Sequence, residues 1–400
     1  MDMSVNVNYI SDWMSIEPYF WTKDEVGELA KEWSIKSATR TFKLDGYNFH
    51  WEYTNSQQVL ATPFKVGWIN VLVITKHGLM ESDCLTLLDR LEKLDTDTKV
   101  LIVIAKHTED YFMLNEVRES DGLLKRIGNM KGVKIVWDIP FINYPNFTFS
   151  NKVGIQSYYN NEVFPGEMFF YGSDIFKGYH KGYRVGLHIN KLTDRVRMGL
   201  AKHFYTNENT KLKFTTNTTP THNRIYSPLL NYTSPFFNPQ LANPNQNNGI
   251  HGNSYTHQFI EHTIHSQMEV VYETFTIISP YLHLIKFNEK TTKLLYLGKP
   301  FIHTDPMAHK LMERNMLTPY RSLYTDELWD IYSNWDISKP IPITDSIWIP
   351  ALIRNIEWLR DMEDSEWKER IELAMGIANE NREYCNRIIF DTHLREHLKF

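Results

Sequence analysis

Cysteine is almost absent from this 400-residue chain, which contains only Cys84 and Cys385. These two residues are separated by most of the sequence and have no metal-ligand spacing, so we interpret them as buried residues without a chemical role. No stretch approaches eighteen consecutive apolar residues, and the opening MDMSVNVNYISDW lacks a basic region followed by an apolar one. We therefore expect no membrane span and no export signal, and a location in the cytoplasm.

Three nucleotide- and substrate-binding motifs are also missing. The sequence contains no G-x-x-x-x-G-K-S/T, no G-x-G-x-x-G and no G-x-S-x-G, so P-loop kinases, dinucleotide dehydrogenases and α/β-hydrolases lose their main signals. The net charge of −5 gives no global attraction to nucleic acid, although a local basic groove remains compatible with it.

What the chain does contain is a regular alternation of strand and helix patterns. The runs KVGWINVLVI (65–74), KVLIVIA (99–105) and GVKIVWDI (132–139) are short, apolar and rich in β-branched residues. Stretches with helical spacing separate them, as in ESDCLTLLDRLEKL. This alternation predicts an α/β fold with parallel sheets, and the length favours two domains.

Changes in composition along the chain predict its domain organisation. The predicted parts are a β-rich extension (1–64), a first Rossmann-like domain (65–180), a second Rossmann-like domain (181–345) with a long Asn- and Pro-rich loop near 215–253, and C-terminal helices (346–400). The two longest of these helices are expected at 347–361 and 365–390.

The most informative segment lies in the second predicted domain. MEVVYE (268–273) is predicted to be a strand, Asn288 an N-cap, Glu289 to Leu297 a short helix, Gly298 its stop, and KPFIHT the next strand. A helix that begins at the carboxyl edge of a parallel sheet directs free N–H groups toward a diphosphate. In its first turn, Glu289 could accept hydrogen bonds from ribose hydroxyls, and Lys290 could contact phosphate. The alternative is that Glu289 only favours the helix start and that Lys290 is solvated.

This segment resembles the donor-binding segment of the fucosyltransferase-like GT-B enzymes and of phage-encoded glycosyltransferases. The matching positions in YET and FNEKTTKLLYLGKPFIH are Glu273, Glu289, Lys290, Gly298, Pro300 and Phe301. The resemblance covers roughly residues 268–330. Asn288 occupies a position at which that family more often has threonine.

The resemblance implies a GT-B glycosyltransferase with two Rossmann-like domains that face a central cleft and C-terminal helices that brace both. It implies that Glu289 binds the ribose of a UDP- or GDP-sugar, that Lys290 binds its diphosphate, and that Glu273 lies near the donor. Asn288 belongs to the same donor segment. An arginine early in the second domain also neutralises phosphate in this family, and Arg195 is the nearest match, with Arg197 and Arg184 as alternatives. Such an enzyme requires no metal.

The catalytic base has several candidates. An inverting enzyme needs a base near the acceptor hydroxyl, whereas in a retaining enzyme the departing phosphate can take the proton. The candidates after first-domain strands are His77, Glu109, Asp110 and Asp138, and we favour Asp138 and His77 because each follows an apolar run. Glu273 is a further catalytic candidate in the second domain.

The phage-like resemblance favours a hydroxymethylated base of duplex DNA, such as hydroxymethylcytosine, as acceptor, in the host cytoplasm if the protein is phage-encoded. A basic rim with aromatic residues for an extruded base is then expected from Lys177, Tyr179, Lys181, Tyr183, Arg184, Lys191, Arg195, Arg197, Arg224 and Tyr226. The alternatives are a protein or glycan acceptor, or a non-catalytic Rossmann-fold binding protein.

Two patterns suggest metal binding but have simpler interpretations. Asp95-Thr96-Asp97 is a D-x-D sequence, yet it precedes a predicted strand, so we interpret it as a helix-to-strand turn. His251, His257, His262 and His265 lack a cysteine or a helical i, i+4 pair, and we interpret them as solvated residues.

Overall fold

The computed structural model describes residues 5–12, 39–54, 58–74, 81–104, 122, 125–138, 145–153, 155, 183–189, 195–204, 210–216, 266–272, 287, 289–336, 348–389 and 391–400. The chain forms two compact units. The first comprises Met1–Asn160, His283–Lys286 and Asn386–Phe400, and the second comprises Asn161–Leu282 and Phe287–Cys385.

The first unit is built on a seven-stranded, mostly parallel sheet. Its elements are β1 (Val5–Asp12), β2 (Thr39–Leu44), β3 (Tyr47–Thr54), β4 (Ile69–Ile74), α1 (Glu81–Glu92), β5 (Lys99–Ile104), β6 (Val133–Trp137) and β7 (Phe147–Phe149). The order across the sheet is β2-β3-β1-β4-β5-β6-β7, and only the β2–β3 pair is antiparallel. The chain is therefore an α/β protein, as predicted, and this sheet is compatible with a Rossmann-like fold.

The N-terminal strands belong to this same sheet. Asp45 and Gly46 join β2 to β3 with φ angles of 49° and 81°, the left-handed region that a two-residue Asp-Gly hairpin turn requires. β3 then pairs in parallel with β1, which pairs with β4. The predicted separation of residues 1–64 as an extension missed this arrangement, because pairing between distant strands leaves no local signal.

The core of the first unit explains why its strands are so apolar. All six residues of β4 are buried, as are five of the six in β5, which is typical of parallel strands covered on both faces. The tail of the chain contributes to this core, since Leu394 and Leu398 are buried in the same cluster as Val71 and Leu101. They lie in a 3₁₀ segment, His393–Leu398.

The second unit contains a smaller, fully parallel sheet. Its elements are β8 (Tyr183–Ile189), α2 (Arg195–Phe204), β9 (Leu212–Thr216), β10 (Ser266–Val271), α3 (Glu289–Leu297), β11 (Phe301–His303), α4 (Ala308–Arg314), α5 (Asp326–Ser333), α6 (Trp348–Asp361) and α7 (Asp364–Ile389). The order is β11-β10-β8-β9. The chain passes from β8 to β9 on one side and then crosses from β9 to β10 on the other side of β8. In such sheets ligands bind beyond the carboxyl ends of the strands at this reversal.

The C-terminal helices agree closely with the sequence. α6 and α7 begin and end within one residue of the predicted 347–361 and 365–390. The division between the units falls within α7, after Cys385, and residues 386–400 belong to the first unit. The predicted boundary at residue 346 therefore differs from the structural one. Among the described residues, no helix is both long enough and apolar enough to cross a membrane.

A buried lysine fastens the tail to the first unit. The Lys152 side chain has no exposed surface, and its ammonium donates a hydrogen bond to the carbonyl oxygen of Asp391. Burial lowers the pKa of Lys152 to about 7; nearby Asp391 partly opposes this shift, and Arg395 adds to it. The charged form of Lys152 therefore lowers the stability of the folded state.

This effect predicts that the first unit becomes more stable as the pH rises. The folded pKa of Lys152 lies below its unfolded value of 10.5, so the unfolded chain binds more protons between about pH 7 and that value. We expect the free energy of unfolding to rise there by up to about 1.4 kcal/mol per pH unit. Hydrogen exchange of the β6 and β7 amides at pH 7 and 9 measures this rise. The rise should disappear in Lys152→Met and persist in Lys131→Met, because the Lys131 side chain is exposed. An equal rise in both variants would show that Lys152 is not its source.

Candidate functional site

The carboxyl edge of the second sheet is bordered by the first turn of α3. This helix begins at Glu289 and ends at Leu297, the bounds predicted from the sequence. Gly298 follows with φ of 61°, a left-handed conformation that terminates helices and suits glycine. The helix thus begins between β10 and β11 along the chain, where the sequence predicted a diphosphate site.

A buried hydrogen bond fixes the start of α3 against the end of β11. The Thr291 hydroxyl and Nε2 of His303 lie 2.8 Å apart, and both side chains are buried. The His303 ring also stacks on Phe287, with ring centroids 5.6 Å apart and planes only 5° from parallel. The Tyr332 hydroxyl donates to the carbonyl oxygen of His303 at 3.0 Å. Together these contacts fix the start of α3 at the end of β11.

The structure describes some of the predicted donor residues fully, some only in their backbone, and some not at all. Lys290 is half-buried in the first turn of α3 and has contacts within the protein. Glu289 is the first residue of α3, and Arg195 is the first residue of α2, which follows β8. Their side chains lie outside the description, as do Glu273 and Asn288 entirely. Glu289, Lys290 and Arg195 are thus at the starts of helices that adjoin the second sheet, and their roles stay predictions.

Two polar residues directly after β11, Thr304 and Asp305, were missed as site candidates. Oδ1 of Asp305 accepts a hydrogen bond from the Met307 N–H at 2.8 Å, so Asp305 shapes the turn before α4, as its position before Pro306 suggested. Trp348 Nε1 donates to the Thr304 carbonyl oxygen at 2.9 Å. The Thr304 hydroxyl is buried and has no hydrogen-bond partner in the described part of the chain. Polar residues directly after an apolar strand are the sequence signal for such positions.

His309 is a neutral, buried histidine near this edge. Its ring contacts Tyr324, Trp329 and Tyr332, with centroid distances between 4.7 and 5.3 Å. Burial lowers its pKa to about 3, with smaller contributions from His303 and Lys310. His309 therefore stays uncharged at neutral pH and stabilises the edge by packing.

Arg184, one alternative for phosphate binding, occupies the wrong end of its strand. It is the second residue of β8, at the amino edge of the sheet. Its guanidinium donates to the carbonyl oxygens of Arg360 and Met362 and pairs with the Asp364 carboxylate. Arg184 therefore joins β8 to the turn between α6 and α7, and the prediction of a phosphate contact is wrong. The other alternative, Arg197, lies in α2 with its side chain outside the description.

In the first unit, Asp138 directly follows β6, as the sequence predicted. It is buried, with 4% of its surface exposed, and neighbours Ser150, whose N–H donates to the Trp137 carbonyl oxygen at 2.8 Å. Asp138 therefore lies at the carboxyl edge of the first sheet. The other base candidates, His77, Glu109 and Asp110, lie outside the described residues, so the choice among them stays open.

The D-x-D sequence forms the predicted turn between α1 and β5. Oδ1 of Asp95 accepts hydrogen bonds from the Thr98 hydroxyl at 2.7 Å, the Thr98 N–H at 2.8 Å and the Asp97 N–H at 3.1 Å. The bonds from Thr98 hold the pKa of Asp95 below its usual value. The carboxylate thus closes a turn at the amino edge of the first sheet.

The remaining predicted ligands are mostly outside the described residues. This applies to the four histidines between 251 and 265 and, within the expected basic rim, to Lys177, Tyr179, Lys181, Lys191, Arg224 and Tyr226. Over the described ranges, no group of three or more His, Cys, Asp or Glu side chains is arranged to hold a metal ion. Tyr183 is described, and partial burial raises its pKa.

Comparison of the chain with protein-family models, with curated proteins and with solved structures finds no match.

Proposed function

We propose that the protein is a nucleotide-sugar-dependent glycosyltransferase of the two-domain GT-B type. The observation that carries the proposal is the start of α3 at Glu289, beside the carboxyl edge of a parallel sheet, within the segment that resembles the donor-binding segment of such enzymes. Two further features support it. The sheet of the first unit is mostly parallel and that of the second is fully parallel, and the chain returns to the first unit near the end of α7.

The proposed donor contacts follow from the chemistry of each residue. The free N–H groups of the first turn of α3 and the positive end of its dipole favour a diphosphate. Lys290 supplies a cation to that diphosphate, and the Glu289 carboxylate accepts hydrogen bonds from the ribose. Arg195, in the first turn of α2, adds a second cation. Glu273 and Asn288 belong to the same donor-binding segment of the chain as Glu289 and lie near the bound donor. The donor is a UDP- or GDP-sugar.

The proposed acceptor is a hydroxyl group, and the best single candidate is a hydroxymethylated base in duplex DNA. Asp138 is our first candidate for the base that removes the hydroxyl proton, because it directly follows β6 at the carboxyl edge of the first sheet. His77 is the second candidate. An extruded base would require cations and aromatic side chains of the kind found in the segment 176–226.

The experiment that tests the proposal combines the purified protein with a panel of UDP- and GDP-sugars, with and without DNA that contains hydroxymethylcytosine. Released nucleoside diphosphate and the mass of the DNA are measured together. We expect release that depends on one donor and on the DNA, with one added sugar per modified base. Release that does not depend on DNA supports a glycosyltransferase but indicates that its acceptor is a protein or a glycan. No release with any donor contradicts the enzymatic proposal and favours a binding protein.

The salt dependence of turnover separates DNA from the other acceptors. Phosphate contacts release counterions, so DNA glycosylation should weaken steeply between roughly 50 and 200 mM salt. Activity that is constant over this range argues against a DNA acceptor even if the donor reaction itself is observed.

A further inference from the structure

The second unit also contains an open groove, whose lining includes none of the proposed donor or acceptor residues. It has a volume of about 1230 Å³ and is formed by one face of α7, the segment 321–326 and Trp358 of α6. We refer to it as the acidic groove. Its lining residues on α7 are Glu366, Glu369, Arg370, Glu372, Leu373, Gly376, Ile377 and Glu380.

The middle of the acidic groove is apolar and unusually open. Leu373 is 58% exposed, which makes it one of the few large apolar side chains on the described surface. Gly376 follows on the same face of α7, and an added Cβ there would meet no atom within 4 Å. Glycine lowers helix stability in such a position. It leaves space for another chain to approach the helix closely, with Leu373 and Ile377 on either side.

Some charges in the acidic groove neutralise one another. Arg321 pairs with Asp326, and Nε of Arg370 donates to the Glu366 carboxylate at 2.8 Å. Arg370 also lies over the ring of Trp358, 4.7 Å from its centroid. These pairs fix the walls and leave no cation unmatched among the lining residues.

The remaining charges are negative. Glu369, Glu372 and Glu380 line the acidic groove in addition to the paired carboxylates. Glu372 is 4.0 Å from Lys368, with both side chains exposed, so solvent screens that pair. In the described part of the chain, neither Glu369 nor Glu380 has an ion-pair partner within 4.0 Å. The acidic groove therefore repels nucleic acid and attracts cationic groups.

We propose that the acidic groove binds a basic amphipathic helix of a partner protein. Leu373 and Ile377 would contact the apolar face of that helix, and Glu369, Glu372 and Glu380 would contact its lysines and arginines. The lining stretch from Glu366 to Glu380 spans fourteen residue steps, or about 21 Å of helix, which is the length of four turns. A partner helix of similar length matches the acidic groove in length, charge and apolar centre.

The probe for this proposal is a fluorescein-labelled, fourteen-residue peptide with leucine at i, i+3, i+4 and i+7 and lysine elsewhere. Fluorescence anisotropy is measured with the full chain at about 0.1 M salt, the range in which exposed charges still interact. A peptide with the same lysines but serine in place of leucine tests the apolar contact. We expect the leucine peptide to bind, and the serine peptide to bind at least about tenfold more weakly.

Matched variants locate the peptide on the protein. The double variant Glu369→Lys and Glu380→Lys should weaken binding about tenfold or more, whereas Glu363→Lys and Glu383→Lys, which make the same charge change outside the acidic groove, should leave it within about twofold. Gly376→Phe should weaken binding by filling the open space. Equal effects of the two double variants, or no effect of Gly376→Phe, overturn the proposal. Self-association in sedimentation that Leu373→Asp abolishes also overturns it, because the occupant is then a second copy of the chain.

Discussion

Replacing Glu289 with alanine is expected to lower kcat/KM for the nucleotide-sugar donor by roughly a hundredfold. In the proposed function this carboxylate accepts hydrogen bonds from the ribose, and losing such bonds to a charged group costs about 3 kcal/mol. The helix itself should survive, because alanine favours helices and α3 is anchored through Thr291 and His303. The measurement is the rate of nucleoside diphosphate release over a range of donor concentrations.

Glu313 provides the matched control for this prediction. It is an exposed carboxylate on α4 in the same unit, paired with Lys310 at 3.3 Å, and such a pair contributes little to stability. Glu313→Ala should keep the turnover of the wild type within about twofold. Thermal unfolding of both variants separates a lost contact from a lost fold. Unchanged turnover in a folded Glu289→Ala protein contradicts the donor site, even if the protein proves to be a glycosyltransferase.

Replacing Gly186 with alanine should destabilise the second unit by about 2–4 kcal/mol. Gly186 of β8 is the direct neighbour of Glu269 in β10, and an added Cβ would lie 2.5 Å from both carboxylate oxygens of Glu269. The Glu269 side chain is only 3% exposed and accepts a hydrogen bond from the Ser266 hydroxyl. It can yield only by breaking buried polar contacts, which carries a penalty of this size. The change in the free energy of unfolding is measured by urea titration, with hydrogen exchange of the β8 and β10 amides as the probe of the second unit.

A glycine in the same unit serves as the control. At Gly199 in α2, an added Cβ would meet only Ile349 at 3.8 Å, an ordinary contact, so Gly199→Ala should raise stability by about 1 kcal/mol. Combining Gly186→Ala with Glu269→Ala removes the obstruction, so the two changes should be less damaging together than their sum. Strict additivity would show that Gly186 is not required by the Glu269 carboxylate.

Local signals explain which elements can be predicted from the sequence. Asn288, the apolar spacing of 289–297 and Gly298 are neighbours along the chain, and together they predict the bounds of α3 to the residue. Local signals also locate β4, β5, β6 and the two long C-terminal helices, with less exact bounds: β4 begins four residues later than predicted, and the helices agree within one residue. A helix start beside a sheet edge follows from these elements alone, which is why most of the candidate donor site can be proposed from local sequence patterns.

What the sequence did not predict depends on contacts between distant residues. Glu269 is a charged residue within an apolar strand, and its side chain is buried beside Gly186, which is more than eighty positions earlier in the chain and leaves room for it. The role of Arg184 also depends on distant residues, because its partners are in the turn between α6 and α7. The bond between Thr291 and His303 joins two elements that were each predicted correctly, but only their packing brings the two side chains together.

The location of Leu394 and Leu398 has a consequence for biosynthesis. A ribosome makes the strands of the first sheet early, but it makes these two core leucines only after the entire second unit. The first sheet therefore exposes part of its apolar face throughout the synthesis of some two hundred intervening residues. During that interval the nascent chain is a natural substrate for chaperones that bind apolar surface.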